Sequence, residues 1–291
     1  MESYQIPKIL VSNFSLKHTF ESAQPLTFYA DYNETSNTIT YPYDSMVINT
    51  MHSGNQEKGE LHVVSRHGNV AVDEVKRRFR LHDDMEKIYK RIGTDEHVKN
   101  AIDPYRGMRL TVNDPWETTL VFIISQFNNV KRIRLITRNI VKKYGTEITD
   151  SAGREVAKSF PQSRDLLKGT EKDFRELGAG FRAKYIKEAA EYCTYNINLT
   201  KLPANKYDKL KESLMTIRGV GEKVADCIAL MGYGNLEAFP IDVHIKRSME
   251  KLYFKGKKKP LKQIQKLAEE KWGDYRGYAQ QYLFHNARMT K

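Results

Sequence analysis

The chain of 291 residues has only two cysteines, Cys193 and Cys227. Two are too few for a four-cysteine iron–sulfur cluster or a cysteine-only zinc site, and a disulfide between them is not expected in a reducing compartment. Long apolar runs are missing as well: nowhere do about eighteen apolar residues follow one another, so no membrane-spanning helix is predicted. The opening stretch MESYQIPKIL lacks a basic segment leading into an apolar core and a small-residue cleavage site. The protein is therefore expected to be intracellular, either cytoplasmic and nucleoid-associated or nuclear.

What is present is an ordinary globular composition, with 40% hydrophobic residues to fill two modest cores, and a lopsided charge. Residues 1–112 carry 14 Lys+Arg against 15 Asp+Glu, a net of −1; the remainder of the +12 total leaves 34 against 21, a net of +13. A basic half with interspersed acids is the electrostatic footprint of a folded partner for a polyanion, nucleic acid first. A membrane surface is disfavoured, because no long basic amphipathic helix with an aromatic-rich face stands out.

The chemistry concentrates between Leu214 and His244, LMTIRGVGEKVADCIALMGYGNLEAFPIDVH. Gly219 and Gly221 allow a tight, close-approaching turn before a helix expected from about Glu222 to Met231. The unpaired N–H groups and dipole at such a helix start suit a phosphate. Lys223, Cys227 and Met231 follow at i, i+4 and i+8, one face of the helix and one wall of a pocket. Asp242 is placed to N-cap a helix over Val243–Tyr253, which would hold its carboxylate rigidly. An amine that attacks a sugar carbon forms a Schiff base, and a carboxylate nearby stabilises positive charge on that sugar. The local pattern alone fits a non-catalytic DNA-binding module with a solvated lysine better than it fits an enzyme.

Taken in order, Ile6 to Val64 reads as strands of an antiparallel sheet, in runs such as LTFYADY, NTITYPY and SMVINTM separated by breakers. From Val72 to Gly107 the pattern turns helical, with Val75, Phe79, Ile88 and Ile92 at helical spacing. Asp114 and Pro115 signal the start of a long apolar helix, and the domain boundary is set there: 1–112 sheet domain with packing helices, 113–291 helical domain. Ile124, Phe127, Val130 and Ile133 continue an apolar stripe, interleaved with polar residues and followed by Arg132. Two glycines precede Phe181, Arg182 and an Ala-rich helix in FRELGAGFRAKY, and Gln280 and Phe284 share a face of the last helix. The basic loop KGKKK is read as solvated.

The G-V-G-x-K-V-A-D-C and P-I-D-V-H runs of this sequence resemble those of the helix-hairpin-helix-GPD superfamily of DNA glycosylases, and within it the 8-oxoguanine DNA glycosylases. The resemblance implies an α+β fold, a TATA-binding-protein-like antiparallel β domain followed by an all-α domain. It makes Lys223 the Schiff-base nucleophile and Asp242 the catalytic carboxylate, with an accompanying lyase activity. It places Ala23, in FSLKHTFESAQPLTF, where the family has a glycine whose carbonyl reads the oxidised base. Cys227 and Phe284 would sandwich that base, Met231 would line its pocket, and Gln280 would read its Watson–Crick edge. The family's pocket aspartate is replaced by Ala287. Arg132 and Arg182 match arginines that contact the orphaned cytosine, Phe181 matches the wedge, and Asn129 lies in the same segment. Phe127 stands where the family has an asparagine, which implies relaxed preference for the opposite base. Gly219 and Gly221 form the phosphate seat read above, and His244 is read as either a further phosphate contact or a structural partner of the neighbouring acid. The partner implied is double-stranded DNA containing a damaged base, the protein is expected to be a monomer, and neither a resident metal nor a cofactor is called for, although family hairpins can hold a cation on backbone carbonyls.

Overall fold

A computed structural model describes residues 6–290. The first five residues, part of the segment read above for a targeting signal, lie outside them. Five strands, β1 Lys8–Val11, β2 Asp31–Asn33, β3 Thr38–Tyr43, β4 Met46–Gly54 and β5 Gly59–Val64, form an antiparallel sheet in the order β1-β5-β4-β3-β2. Alternation sets its inner face: Ile39 and Tyr41 on β3, Met46 and Ile48 on β4, and Leu61 and Val63 on β5 are all buried. Their register, Tyr41 opposite Ile48 and Thr50 opposite Val63, stacks these side chains into one core with Phe14 and Leu16.

Between β1 and β2 lie helix α1, Leu16–Glu21, and a short 3-10 turn, Pro25–Phe28. The strand expected over LTFYADY is thus confined to Asp31–Asn33, because Pro25 at the head of the segment starts a helical turn and supplies no ladder N–H. Helix α2, Gly68–Arg78, covers the sheet with Ala71, Val75 and Phe79. Helices α3, Met85–Ile92, and α4, Glu96–Ile102, instead bury Ile88, Ile92 and Val98 in the larger helical core.

That core is built from α5 Pro115–Ser125, α6 Val130–Tyr144, α7 Glu171–Glu176, α8 Arg182–Tyr195, α9 Tyr207–Met215, α10 Glu222–Gly232, α11 Val243–Tyr253, α12 Leu261–Trp272 and α13 Arg276–Met289. The otherwise helical region also holds a two-stranded ribbon, β6 Glu147–Thr149 with β7 Glu155–Lys158, closed by Asp150 accepting from the N–H groups of Ala152 and Arg154. The α+β class expected from the sequence is the architecture found. Among the described residues no helix is long and apolar enough to cross a membrane.

Two buried arginines brace the chain, and the first of them joins the two parts. Arg78, 1% exposed, pairs with Glu74 and Glu117 and donates to Tyr29 and Asn113. Arg109 donates to the carbonyls of Ser12, Asn13, Arg80 and Asp83. Burying such cations is tolerable because carboxylates and carbonyls, and for Arg78 the Tyr41 ring, stand around them.

Candidate active site

Helix α10 starts at Gly221 after a turn whose Gly219 has φ +87°. That angle favours glycine, and a Cβ there would also lie 2.8 Å from Tyr185. A Cβ at Gly221 would meet nothing within 4 Å, so the head of α10 is open to a close-approaching ligand. From this start α10 presents Lys223, Cys227 and Met231 along one face, and all three line a single cavity of ≈ 590 Å³. Asp242 enters the same cavity from the N-cap of α11, its Oδ1 accepting from the Ile245 N–H at 2.7 Å. Ala23, Gln280 and Phe284 complete the expected base pocket, and Asn129 and His244, expected as DNA contacts, line it as well.

The electrostatics separate these groups by role. Lys223 Nζ lies 5.1 Å from the centre of the Phe122 ring, which gives its head an aromatic floor. Burial pushes the Cys227 thiol up to about 11, although the hydrogen-bonded Lys223 pulls the other way, so at neutral pH Cys227 is a protonated, apolar contact. Gln280 is 5% exposed and donates through Nε2 to the Pro240 carbonyl at 3.1 Å, while its buried Oε1 has no partner among the described residues. A buried acceptor left open costs free energy, which a ligand N–H would recover. Phe284 lies one turn beyond Gln280 on α13 and offers a face for a planar group.

Ala23 has φ +58°, the left-handed conformation that glycine takes without penalty. The turn is held in that shape by its neighbours: Gln281 Nε2 donates to the Ser22 carbonyl, and Gln24 Nε2 donates to the Ser22 hydroxyl and the Arg109 carbonyl. Alanine therefore occupies a backbone shape suited to glycine and keeps its carbonyl in place at a cost in strain.

Phe127, Arg132, Phe181, Arg182, Gly219 and Gly221 are not among the residues lining the cavity. The apolar stripe through Phe127 does not continue as a helix: α5 ends at Ser125, α6 begins at Val130, and Phe127 sits between them, 95% exposed with φ +48°. Asn129 caps α6, its Oδ1 accepting from the Arg132 N–H, and so combines a structural bond with its place on the cavity rim. Phe181 is 49% exposed, its ring 6.3 Å from that of Phe127. Arg132 is exposed and donates to the Gly178 carbonyl. Arg182 departs from the expectation that it reaches an orphaned base: it is 5% exposed and its guanidinium donates to the carbonyls of Gln126, Phe127 and Ala179. Bonds to three loop carbonyls outweigh exposure to solvent for that group.

Sequence reasoning missed Phe122, Gln281 and Arg288, which also line the cavity. Gln281 adjoins Gln280 in the sequence, but a neighbour on a helix is rotated by about 100° and gives no cue that both face one site. Among the described residues no group of three or more His, Cys, Asp or Glu is placed to hold a metal ion.

A helix-hairpin-helix unit opening onto a base-sized cavity, in a helical body fronted by an antiparallel sheet, defines a class of DNA-acting protein. Residues 120–274 match the model of HhH-GPD superfamily base excision DNA repair proteins, and residues 8–119 match that of the 8-oxoguanine DNA glycosylase N-terminal domain. The chain belongs to the HhH-GPD superfamily. It is 31% identical over 240 residues to the N-glycosylase/DNA lyase of Saccharomyces cerevisiae, covering 71% of this chain and 64% of that one. It thus spans less than two thirds of the yeast relative. In structure it is similar to MBOgg1 in complex with a low affinity DNA ligand, with TM-score 0.88, 34% identity, and coverage of 100% of this chain and 98% of that one. It is similar also to the Clostridium acetobutylicum 8-oxoguanine glycosylase/lyase in complex with double-stranded DNA containing cytosine opposite 8-oxoG, with TM-score 0.85, 30% identity, and coverage of 100% and 99%.

Proposed function

We propose that this protein is a bifunctional DNA glycosylase and abasic-site lyase that excises 8-oxoguanine from duplex DNA, with relaxed preference for the opposite base. The observation that carries the reading is the convergence of Lys223 and Asp242 on one cavity with the open Oε1 of Gln280. A nucleophile, a carboxylate and an unpaired acceptor for a purine N–H then meet where an extruded nucleotide would lie. Similarity to an N-glycosylase/DNA lyase and to an 8-oxoguanine glycosylase/lyase supports the same chemistry.

In this reading the basic half holds the duplex, and the head of α10 at Gly219 and Gly221 receives a backbone phosphate, with His244 beside it. The lesion swings into the cavity between Cys227 and Phe284, against Met231. Its N1–H and amino group donate to Gln280 Oε1, and its N7–H donates to the Ala23 carbonyl, a bond that guanine, with no hydrogen on N7, cannot make. The Lys223 amine attacks C1′ as the C1′–N9 bond breaks, its electron pair leaving with the base, which takes up a proton. Asp242 stabilises the positive charge that develops on the sugar. Ring opening gives an imine between Lys223 and C1′. Loss of a proton from C2′ then expels the 3′ phosphate by β-elimination, and water releases the lysine. No electron is exchanged with a cofactor at any step.

Extrusion leaves a gap that Phe181 fills as a wedge, offsetting part of a cost of a few kcal/mol. Phe127 faces the opposite strand without donor or acceptor to read a base edge, the basis for the relaxed preference.

Borohydride trapping tests the reading. Incubation with a duplex containing 8-oxoguanine opposite cytosine, followed by borohydride, is expected to give a covalent protein–DNA band, and Lys223→Ala is expected to give none while still binding duplex. Wild-type cleavage by Lys223→Ala would refute the mechanism. A band only with a different lesion would move the substrate, and no band with any lesion or abasic site would leave a binding protein.

A further inference from the structure

We infer that Arg182 and Gln126 are positioning residues that hold Phe127 out as a second aromatic wedge beside Phe181, with the Arg182 guanidinium serving the loop backbone and not the unpaired base. The inference rests on the base-extrusion reading above and goes beyond it in assigning what holds the wedges.

Phe127 presents a problem in the free protein. A phenyl ring 95% exposed gains nothing from burial, and its backbone at φ +48° lies in the left-handed region that strains a bulky residue. Something must maintain it. Arg182 donates from Nε to the Gln126 carbonyl at 2.6 Å, from Nη2 to the Phe127 carbonyl at 2.8 Å and again to Gln126, and from Nη1 to the Ala179 carbonyl at 3.2 Å. Four bonds to three carbonyls leave one of the five guanidinium N–H groups for anything else. The same guanidinium carbon lies 4.4 Å from the centre of the Phe181 ring, so a single side chain fixes one wedge by its backbone and the other by its face.

Gln126 extends the clasp. Its Nε2 donates at 3.0 Å to the carbonyl of Gly219, in the glycine turn, and at 3.2 Å to that of Ile123. The two wedge-bearing loops and the hairpin that receives phosphate are therefore one bonded surface. Two rings with centroids 6.3 Å apart, at 61° to each other, are wider than one displaced base. Phe181 fills the vacated position, and Phe127 reaches the opposite strand beside the orphaned base. Because every base offers a π face, such a contact unstacks without discriminating, and because the loops are already ordered it costs little entropy on binding.

The test uses the full chain with duplexes that carry a stable tetrahydrofuran abasic analogue opposite 2-aminopurine. No bond is cleaved, so the outcome is independent of which lesion is excised; a wild type that ignores 8-oxoguanine would count against the substrate reading alone. Wild type is expected to raise the 2-aminopurine fluorescence as the orphan unstacks. Phe127→Ala and Arg182→Ala should each lose most of that rise, and the double variant should lose no more than the larger single loss, since one acts through the other. Arg182→Lys keeps the charge but not the fork, and it should lose the rise with a melting temperature near wild type. With each normal base opposite the analogue, Arg182→Ala should weaken binding by the same factor, on the order of tenfold. A wild-type rise in either Arg182 variant, additive losses in the double variant, or selective weakening against one opposite base would overturn the inference.

Discussion

Gln281 Nε2, on α13, donates 2.9 Å to the carbonyl of Ser22, the residue before Ala23, and so ties the last helix of the protein to a turn near its beginning. Gln281 is 1% exposed, and its bond spans 259 residues of sequence. Gln281→Ala removes the donor and leaves a buried carbonyl without a partner, a cost of about 1–3 kcal/mol. If the turn sets recognition of the oxidised base, 8-oxoguanine excision should slow by about tenfold or more. Cleavage at a preformed abasic site, which has no base to recognise, should fall far less. Equal losses on both substrates, compared in single-turnover assays, would assign Gln281 to general stability.

Ala23→Gly should raise stability. The left-handed φ of +58° costs alanine about 1–2 kcal/mol, and glycine returns part of that gain by freeing the unfolded chain, about 0.4–1 kcal/mol. The expected net is a stabilisation of roughly 0.5–1 kcal/mol in urea unfolding, with excision retained. A loss of stability would mean that the alanine methyl contributes more in packing than the strain takes away.

The aromatic at position 127 should level the response to the opposite base. Excision rates on four duplexes that differ only opposite 8-oxoguanine are expected to lie within about tenfold of one another. A cytosine preference of about a hundredfold, on the order of 2.7 kcal/mol, would contradict the absence of a reader at Phe127. Phe127→Asn, which restores an edge-reading amide, should move the preference toward cytosine.

His285 should make the fold acid-sensitive. It is fully buried, its two ring nitrogens have no partner among the described residues, and its ring lies 4.4 Å from that of Tyr105. Burial, with Arg288 and His18 nearby, lowers its pKa from 6.5 to about 4. The folded state therefore favours the neutral ring, and the unfolded state binds more protons between those values. Stability from this group is complete above about 6.5 and is lost as pH falls toward 4, by no more than about 3 kcal/mol. Urea unfolding at pH 7 and pH 5 should show part of that loss in wild type and a smaller one in His285→Leu.

The elements that the sequence made legible are those governed by local rules. Asp242 and Asp114 cap their helices where the residue types require it, and Lys223, Cys227 and Met231 share a face because α10 is a regular helix. Strand alternation over β3 and β4 gave the sheet its buried face. Local reasoning failed where a long-range contact overrode it. The stripe through Ile124, Phe127 and Val130 has helical spacing, yet the chain breaks there because bonds from Arg182 and Gln126 hold the loop open.

The sequence by itself determined the glycine turn ahead of α10, the shared face of Lys223, Cys227 and Met231, the Asp242 cap and the basic charge of residues 113–291, since residue type and short-range spacing decide all four. Only the tertiary structure decided that Arg182 turns inward, that Gln281 reaches Ser22 and that Gln280 keeps one oxygen unpaired. The physical reason is the reach of a polar side chain: which carbonyl it satisfies depends on which loops folding brings within about 3 Å, and no spacing along the chain records that.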